Sequence, residues 1–367
     1  MKVLQVLPEL NSGGVERGTV ELAQFLVKEG HESLVLSNGG RQVAQLEAEG
    51  TRHLTLPVHK KSFFSLRYVS QLVSLLKKEK PDILHLRSRA PAWLCYLAWK
   101  KLPKNNRPRL VTTVHGFYSV NFYSAVMTKG EQVICVSNSV KEYVLKNYPK
   151  TPAEKLAVIH RGVDTDLYQP SYQPDDAWIK EWTNNHPQFE NKTLLLLPGR
   201  ITRWKGHEDF LKIIKQLSAT HPQIHGVIAG GPSPRKEAYL TELKEKITTQ
   251  GLQNDITFLG HRSDLRDVMA ACDLTLSLSK DPEAFGRVSL EALALGKPVV
   301  AYSHGGVAEQ LEALYPAGKV TPDNTSEAVS KLSKLVGKTR STPPDFVPEF
   351  TLARMNQAIL SVYQELL

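Results

Sequence analysis

Apolar and polar positions change period repeatedly along the chain. Lys2–Leu7 is a short apolar run, Val15–Glu29 repeats its apolar residues every three to four positions, and His31–Leu36 returns to the short run. That alternation is the pattern of a strand–helix–strand unit. It continues with a helical stretch at 42–49, a strand at 51–56, a long helix at 66–78, a strand at 82–86, a helix at 92–101, and strands near 110–114 and 132–136. Residues 164–191, rich in Pro, Asp, Asn and Trp and without a steady period, read as a linker with a loosely packed helix. The pattern then restarts. Short continuous apolar runs at 193–197, 225–229, 255–259, 274–278 and 298–301 are of the kind buried in parallel sheets. A Pro-, Ser- and Thr-rich stretch at 339–348 reads as a surface crossing, and 352–367 as an apolar-faced helix. The expected fold class is α/β, with two doubly wound domains facing a cleft. Residues 1–165 with the returning helix 350–367 form the first domain, 166–190 the linker and 191–349 the second. Such sheets bind ligands at the carboxyl ends of their strands, so the chemistry is sought there.

Composition fits this picture and narrows it. A chain of 367 residues is about twice what one core supports, and 41% hydrophobic with 23% charged residues is the balance of a folded protein. Cys95, Cys135 and Cys272 are widely separated, with neither a disulfide framework nor metal-ligand spacing, which predicts a reducing, cytoplasmic setting. Pro8 and Glu9 cut the first apolar run too short for a signal peptide, and the apolar stretch 90–99 is half of the ~20 residues a membrane span needs. The charge is uneven. Residues 1–170 hold 24 Lys and Arg against 14 Asp and Glu, while the rest hold 22 against 23. No acidic residue lies between Asp82 and Glu131, so the first half should attract an anionic partner. With no aromatic RNA-binding signature or zinc finger, nucleic acid is not that partner.

Three stretches carry candidate chemistry. Asn11-Ser-Gly13-Gly14 follows the first strand and opens a helix, offering backbone N–H groups to an anion or making a mere turn; it is not the dinucleotide fingerprint G-x-G-x-x-G. The run 198–206 places Arg200 and Lys205 on one loop before a helix, two cations suited to a diphosphate or simply solvated. In Asp281-Pro-Glu-Ala-Phe-Gly-Arg-Val-Ser-Leu-Glu-Ala292, Glu283 falls on a loop and Glu291 in the second or third turn of the helix that follows. One carboxylate can meet the reacting part of a ligand and the other a diol; the plain alternative is a capping acid and a surface acid.

In order along the chain, Gly13-Gly14, Gly199-Arg200 with Lys205-Gly206, the Glu283/Glu291 pair inside PEAFGR-x-x-x-EA, Gly296-x-Pro298-Val-Val-Ala301, and Gly305-Gly306 with Glu309 resemble the motifs of family 4 retaining glycosyltransferases. The resemblance covers nearly the whole chain and is strongest over 194–310. It implies a GT-B fold of two Rossmann-like domains, the first for the acceptor and the second for a nucleotide-sugar donor linked to UDP or GDP. It implies that Arg200 and Lys205 neutralise the donor diphosphate and that Glu291 binds the ribose. Glu283 faces the donor sugar, with the backbone of Phe285, Gly286, Arg287 and Val288 around sugar and phosphate. By the same likeness Arg262 lies on the base-contacting loop, Gly13 and Gly14 line the donor site, and His115 in Thr113-Val-His-Gly116 is the cleft histidine, or else an ordinary buried one.

Side-chain cations stabilise a leaving diphosphate most in the transition state, so no metal and no cofactor is expected beyond the donor itself. Asp164-Thr-Asp166 imitates a metal-binding D-x-D, but it sits in Arg161-Gly-Val-Asp164, which resembles the family's N-G-V-D turn with Arg161 in place of Asn. The expected activity is therefore retaining, metal-independent hexosyl transfer to a glycan or glycolipid acceptor, such as lipopolysaccharide or another envelope glycolipid. A nucleotide-sugar epimerase of the same fold and a non-catalytic binding subunit are the alternatives. Leu66, Val69, Val73 and Leu76 form an apolar stripe flanked by Lys60, Lys61, Phe63 and Phe64; an ordinary domain helix buries such a stripe against its sheet, and the flanking rings and lysines equally lead to an expectation of peripheral binding to an anionic membrane.

Overall fold

A computed structural model of the protein describes residues 1–11, 13–60, 62–232, 237–337 and 348–367, and of Phe63 the backbone alone. Ser12, Lys61 and, except for Pro348, the predicted surface crossing lie outside the described residues. The chain divides into two compact units, Met1–Arg161 with Ala353–Leu367, and Gly162–Leu352.

The first unit is built on seven strands: β1 (Lys2–Val6), β2 (Glu32–Ser37), β3 (Arg52–Thr55), β4 (Ile83–Leu86), β5 (Arg109–Val114), β6 (Gln132–Cys135) and β7 (Leu156–Val158). They form one sheet in the order β3-β2-β1-β4-β5-β6-β7, and every pair is parallel. The register runs Val3 opposite Ser33 on one side and Ile83 on the other. Parallel pairs need crossovers, and the amphipathic helices supply them by packing on the sheet. Helix Gly14–Lys28, for example, buries Val20, Leu22, Ala23 and Leu26. The C-terminal helix Leu352–Leu366 turns Met355, Ile359, Leu360 and Tyr363 inward, and Tyr363 Oη lies 2.6 Å from Nδ1 of the buried His85. Short β7 has only the register of Leu156 to Val158 and was not visible as a run of its own.

One prediction changes in detail. The helix expected at 66–78 is Tyr68–Glu79, preceded by a 3-10 turn over Phe63–Arg67. Its inward residues are Tyr68, Val69, Leu72 and Leu76, whereas Leu66 is 49% exposed. Ser62 Oγ accepts the backbone N–H of Phe64 and starts the tighter turn, which rotates Leu66 off the apolar stripe.

The second unit repeats the design with β8 (Thr193–Pro198), β9 (Ile224–Ala229), β10 (Ile256–Gly260), β11 (Leu274–Ser277), β12 (Val299–Tyr302) and β13 (Lys319–Val320). Its order is β10-β9-β8-β11-β12-β13, again all parallel. Leu195, Leu197, Ile228, Leu276 and Val300 meet Phe210, Ile213, Ile214 and Leu217 of helix His207–Ser218 in one continuous core. The region read as a linker belongs to this unit and carries helix Asp176–Asn185. Trp178 and Trp182, one turn apart on it, stack at 4.9 Å, and Trp182 packs on Phe189 and so toward His225.

Burial of histidines makes stability depend on pH. His207 and His225 are buried, which pushes both down to about 4. Each is neutral when folded and takes up a proton on unfolding below its ordinary value, so the unfolded state binds more protons and stability falls as pH drops. The loss should begin near pH 6.5 and continue to about 4, at about 1.4 kcal/mol per pH unit for each group at most. Urea midpoints of His225→Gln and the wild type at pH 7.5 and 5 check this: the pH-dependence must shrink in the variant.

Candidate active site

In a sheet of this order, ligands bind where the crossovers change direction, beyond the carboxyl ends of the two strands that flank the reversal. In the second unit those strands are β8 and β11, and their loops are 199–206 and 278–286. Both predicted motifs therefore meet at one place. Lys205 Nζ lies 2.7 Å from Glu283 Oε1, with both side chains 18% exposed. Ser279 Oγ donates to the same oxygen at 2.5 Å, and the Lys205 ammonium lies 4.3 Å over the ring of Trp204. Lys205 and Glu283 line a small cavity with Pro198, Ser279, Gly286 and Ser289. Ser289 Oγ is buried there without a hydrogen-bond partner among the described residues. Arg200, on the same loop as Lys205, has an exposed side chain.

The loops are held by their own bonds. The backbone N–H of Lys280 donates to Trp204 O at 2.6 Å, and its ammonium bridges the carboxylates of Asp209 and Asp323. Asp209 is buried, which opposes ionisation, but Lys280 and the Tyr302 hydroxyl 2.5 Å away outweigh burial and hold it below the usual carboxylate range. Gly206 joins the strand loop to its helix at φ 73°, and a Cβ there would lie 2.0 Å from Leu278 O. Only glycine combines that backbone with so close an approach.

Glu291 settles the plain alternative for the carboxylate pair. It stands in the second turn of helix Arg287–Ala294, is 6% exposed, and has Arg287 Nε at 3.7 Å. It is not a solvated surface acid. Nor does Glu283 hold the N-cap, which is Gly286. The N-terminus of that helix, with Phe285, Gly286, Arg287 and Val288, thus opens beside Lys205 and Glu283, where backbone N–H groups favour an anion. His304, absent from the predicted set, donates from Nε2 to Ser279 O at 2.8 Å, and Gly306 N–H donates to Glu283 O at 2.8 Å. The Gly305-Gly306 pair was visible in the sequence, but its contact with Glu283 was not.

Arg262 is placed differently in kind. Its guanidinium makes a two-point pair with Asp264, at 2.8 Å through Nε and 2.5 Å through Nη2, and Trp178 Nε1 donates to the same carboxylate at 2.7 Å. The Arg262 side chain is thus engaged within its own unit. Asp164 acts within its turn, its Oδ1 accepting from the N–H groups of Asp166 and Leu167 at 3.0 and 3.4 Å. Among the described residues no group of three or more His, Cys, Asp or Glu is gathered for a metal ion. The three cysteines are buried, and burial raises the Cys95 and Cys135 thiols to about 12.

The first unit has its own reversal between β1 and β4. Gly13 and Gly14 precede and open helix Gly14–Lys28 there, but the Glu16 carboxylate folds back beside Gly13, and burial raises its pKa. An acid already occupies the end that the sequence left open for an anion. Arg87, immediately after β4, is buried, donates to Gln5 Oε1 at 2.9 Å and is lowered by burial to about 10. His115, the residue after β5, has Nδ1 2.5 Å from Arg161 Nη2.

Two successive parallel, doubly wound sheets, with a cation and carboxylates gathered at the reversal of the second, define the GT-B class of glycosyltransferases. A model for glycosyltransferase family 4 matches residues 12–167 and one for glycosyl transferases group 1 matches residues 179–346. The structure of a glycosyltransferase from Rickettsia africae is 32% identical, covering 100% of this chain and 98% of that one with a TM-score of 0.87. The GPI3 subunit of the phosphatidylinositol N-acetylglucosaminyltransferase of Saccharomyces cerevisiae is 26% identical over 325 residues, 82% of this chain and 67% of that protein. Anabaena HepE, solved in complex with UDP and glucose, shares the fold at 23% identity, a TM-score of 0.82 and 99% coverage of both chains. The chain belongs to family 4 of the glycosyltransferases.

Proposed function

We propose that this glycosyltransferase moves a hexose from a UDP- or GDP-sugar to a glycan or glycolipid acceptor, with retention and without a metal. The observation that carries the reading is the Lys205–Glu283 pair, 2.7 Å apart at the reversal of the second sheet, with Glu291 buried one helix turn beyond. Lys205 and Arg200 take the diphosphate, whose charge grows as the glycosidic bond breaks. Glu291 accepts hydrogen bonds from ribose hydroxyls, and Glu283, released from Lys205 by the phosphate, turns to the donor sugar. The UDP and glucose held by HepE support a nucleotide-sugar donor, and the name of the yeast relative, a phosphatidylinositol glycosyltransferase, supports a lipid-borne acceptor such as an envelope glycolipid. A thermal-shift screen of nucleotides and sugar nucleotides tests the donor, because a ligand bound to the folded state raises Tm by mass action. Transfer from the best donor should survive EDTA. No shift with any UDP- or GDP-compound would end the reading.

The acceptor side of the proposal includes an anionic membrane surface on the cytoplasmic face. No helix among the described residues is long and apolar enough to cross a membrane. On the first unit Phe64 is 82%, Phe122 79%, Val120 54% and Leu66 49% exposed, all within the half of the chain that carries the positive excess. Exposed rings with flanking cations bind anionic lipid by insertion and charge together. Vesicles containing phosphatidylglycerol should retain the protein at low salt and release it as salt rises, while neutral vesicles bind it weakly. Phe64→Ser with Phe122→Ser should weaken retention at unchanged charge; equal binding by the variant would remove the rings from the mechanism.

A further inference from the structure

A guanidinium has five N–H donors and no acceptor. Arg161 Nη2 stands 2.5 Å from His115 Nδ1, so in that contact Nδ1 must accept and cannot carry a proton. The proton of the neutral ring is then on Nε2. His115 Nε2 is itself buried and has no partner among the described residues. His85, nearby in the same unit, differs instructively: it lies between the hydroxyls of Tyr363 and Thr113, each at 2.6 Å, and a hydroxyl can donate or accept, so neither tautomer is imposed.

The surroundings leave His115 no route to a second proton. Protonating Nδ1 would set an N–H against an Arg161 N–H. Burial, then the charges of Arg161 and Arg87 and the neighbouring His85, hold the imidazole well below its ordinary pKa. Both arginines lie under Gly18, where a Cβ would be 2.6 Å from Arg161 Nη1 and 3.4 Å from Arg87 Nη2. From its own loop, Tyr118 contributes a hydroxyl that accepts the His115 backbone N–H at 3.1 Å and is raised by burial, so it too is uncharged.

We infer that Arg161 is a positioning residue that locks His115 as the neutral Nε2–H tautomer, making His115 an obligate hydrogen-bond donor to a ligand oxygen and excluding it as a general base at that nitrogen. This rests on the proposed function in one respect, that the oxygen belongs to the sugar nucleotide or its acceptor. The inference depends on Arg161 itself, because an asparagine, as in the turn it resembles, has both a carbonyl and an amide to offer and would impose neither tautomer.

The full-length protein labelled with 15N-histidine tests the lock by long-range 1H–15N correlation between pH 6 and 8, with His115 assigned by its loss in His115→Gln. The expected wild-type pattern is a single Nε2–H tautomer that does not titrate. Arg161→Lys, which keeps a pure donor, should preserve it, and Arg161→Met, in which burial and Arg87 still oppose a charged ring, should give a mixture of the two neutral tautomers. An Nδ1–H ring or an imidazolium in the wild type at pH 7, or an unchanged pattern in Arg161→Met, would overturn the lock whatever the activity. Turnover of the sugar nucleotide with the largest thermal shift tests the donor role. His115→Gln, which keeps an N–H near the place of Nε2–H, should retain at least about tenfold more kcat/KM than His115→Leu, with no ionisation of His115 in either wild-type pH profile. Equal rates in the two variants would overturn the donor role, and a wild type that turns over no sugar nucleotide would refute the proposed function while the tautomer result stood.

Discussion

Replacing Lys205 by alanine is expected to lower sugar transfer by about a hundredfold or more, the usual cost of removing a preorganised group that stabilises charge in the transition state. The fold should survive, since Lys205 and Glu283 are each 18% exposed and Ser279 Oγ remains to donate to the carboxylate. Arg200→Ala should act in the same direction through the same diphosphate. The carboxylates should divide the kinetic constants between them. With the proposed roles, Glu291→Ala should remove ribose binding that is equal in ground and transition states and raise the donor KM, whereas Glu283→Gln should alter contacts at the reacting sugar and lower kcat. Initial rates against donor concentration for the four variants decide the assignments. Wild-type kinetics in Lys205→Ala would remove the diphosphate role, and a KM effect at 283 with a kcat effect at 291 would exchange the two acids.

Gly206→Ala should be among the most damaging single methyls in the second unit. At φ 73° the new side chain carries the strain of left-handed backbone, and its Cβ would stand 2.0 Å from Leu278 O, a backbone atom that cannot swing aside. A loss of about 3 kcal/mol or more is expected, placing it at the upper end of single substitutions. The clash lies between the two loops that carry Lys205 and Glu283, so activity should fall even at temperatures where the variant is folded. Urea midpoints and activity at matched fraction folded separate the two effects. Stability within about 1 kcal/mol of the wild type, equivalent to about 2–4 °C in Tm for a domain of this size, would mean that the loops move apart without cost. Gly251→Ala is a useful control: its φ is also 73° but nothing lies within 4 Å of its Cβ position, so only the backbone strain remains.

The sequence by itself determined the class of fold. Buried parallel strands must be apolar on both faces, and crossover helices must be apolar on one, so Thr193–Pro198, Ile224–Ala229 and the helix between them announce themselves by period alone. The short edge strands β7 and β13 were invisible because two or three residues carry no period. The motifs also fixed which residues should matter, since Arg200, Lys205, Glu283 and Glu291 lie in runs whose order and spacing resemble one family. What the sequence left open was state and partnership. By themselves, two carboxylates eight positions apart read first as a cap and a surface acid; the burial of Glu291 and the glycine at the N-cap remove that plain reading.

Only the tertiary structure could join residues far apart in the chain. Lys205 reaches Glu283 because β8 and β11 are neighbours in the sheet, although 78 positions separate the two side chains. Arg161 reaches His115 across 46 positions, and Glu16 returns to fill the helix end that two glycines had left open. The physical reason is the same in each case. Local pattern is set by which face of an element must leave water, and that is written in the period of the chain. The protonation state of a histidine or the role of an acid is set by which charges and donors the folded chain brings within a few ångströms, and in these cases those donors and charges lie elsewhere in the sequence.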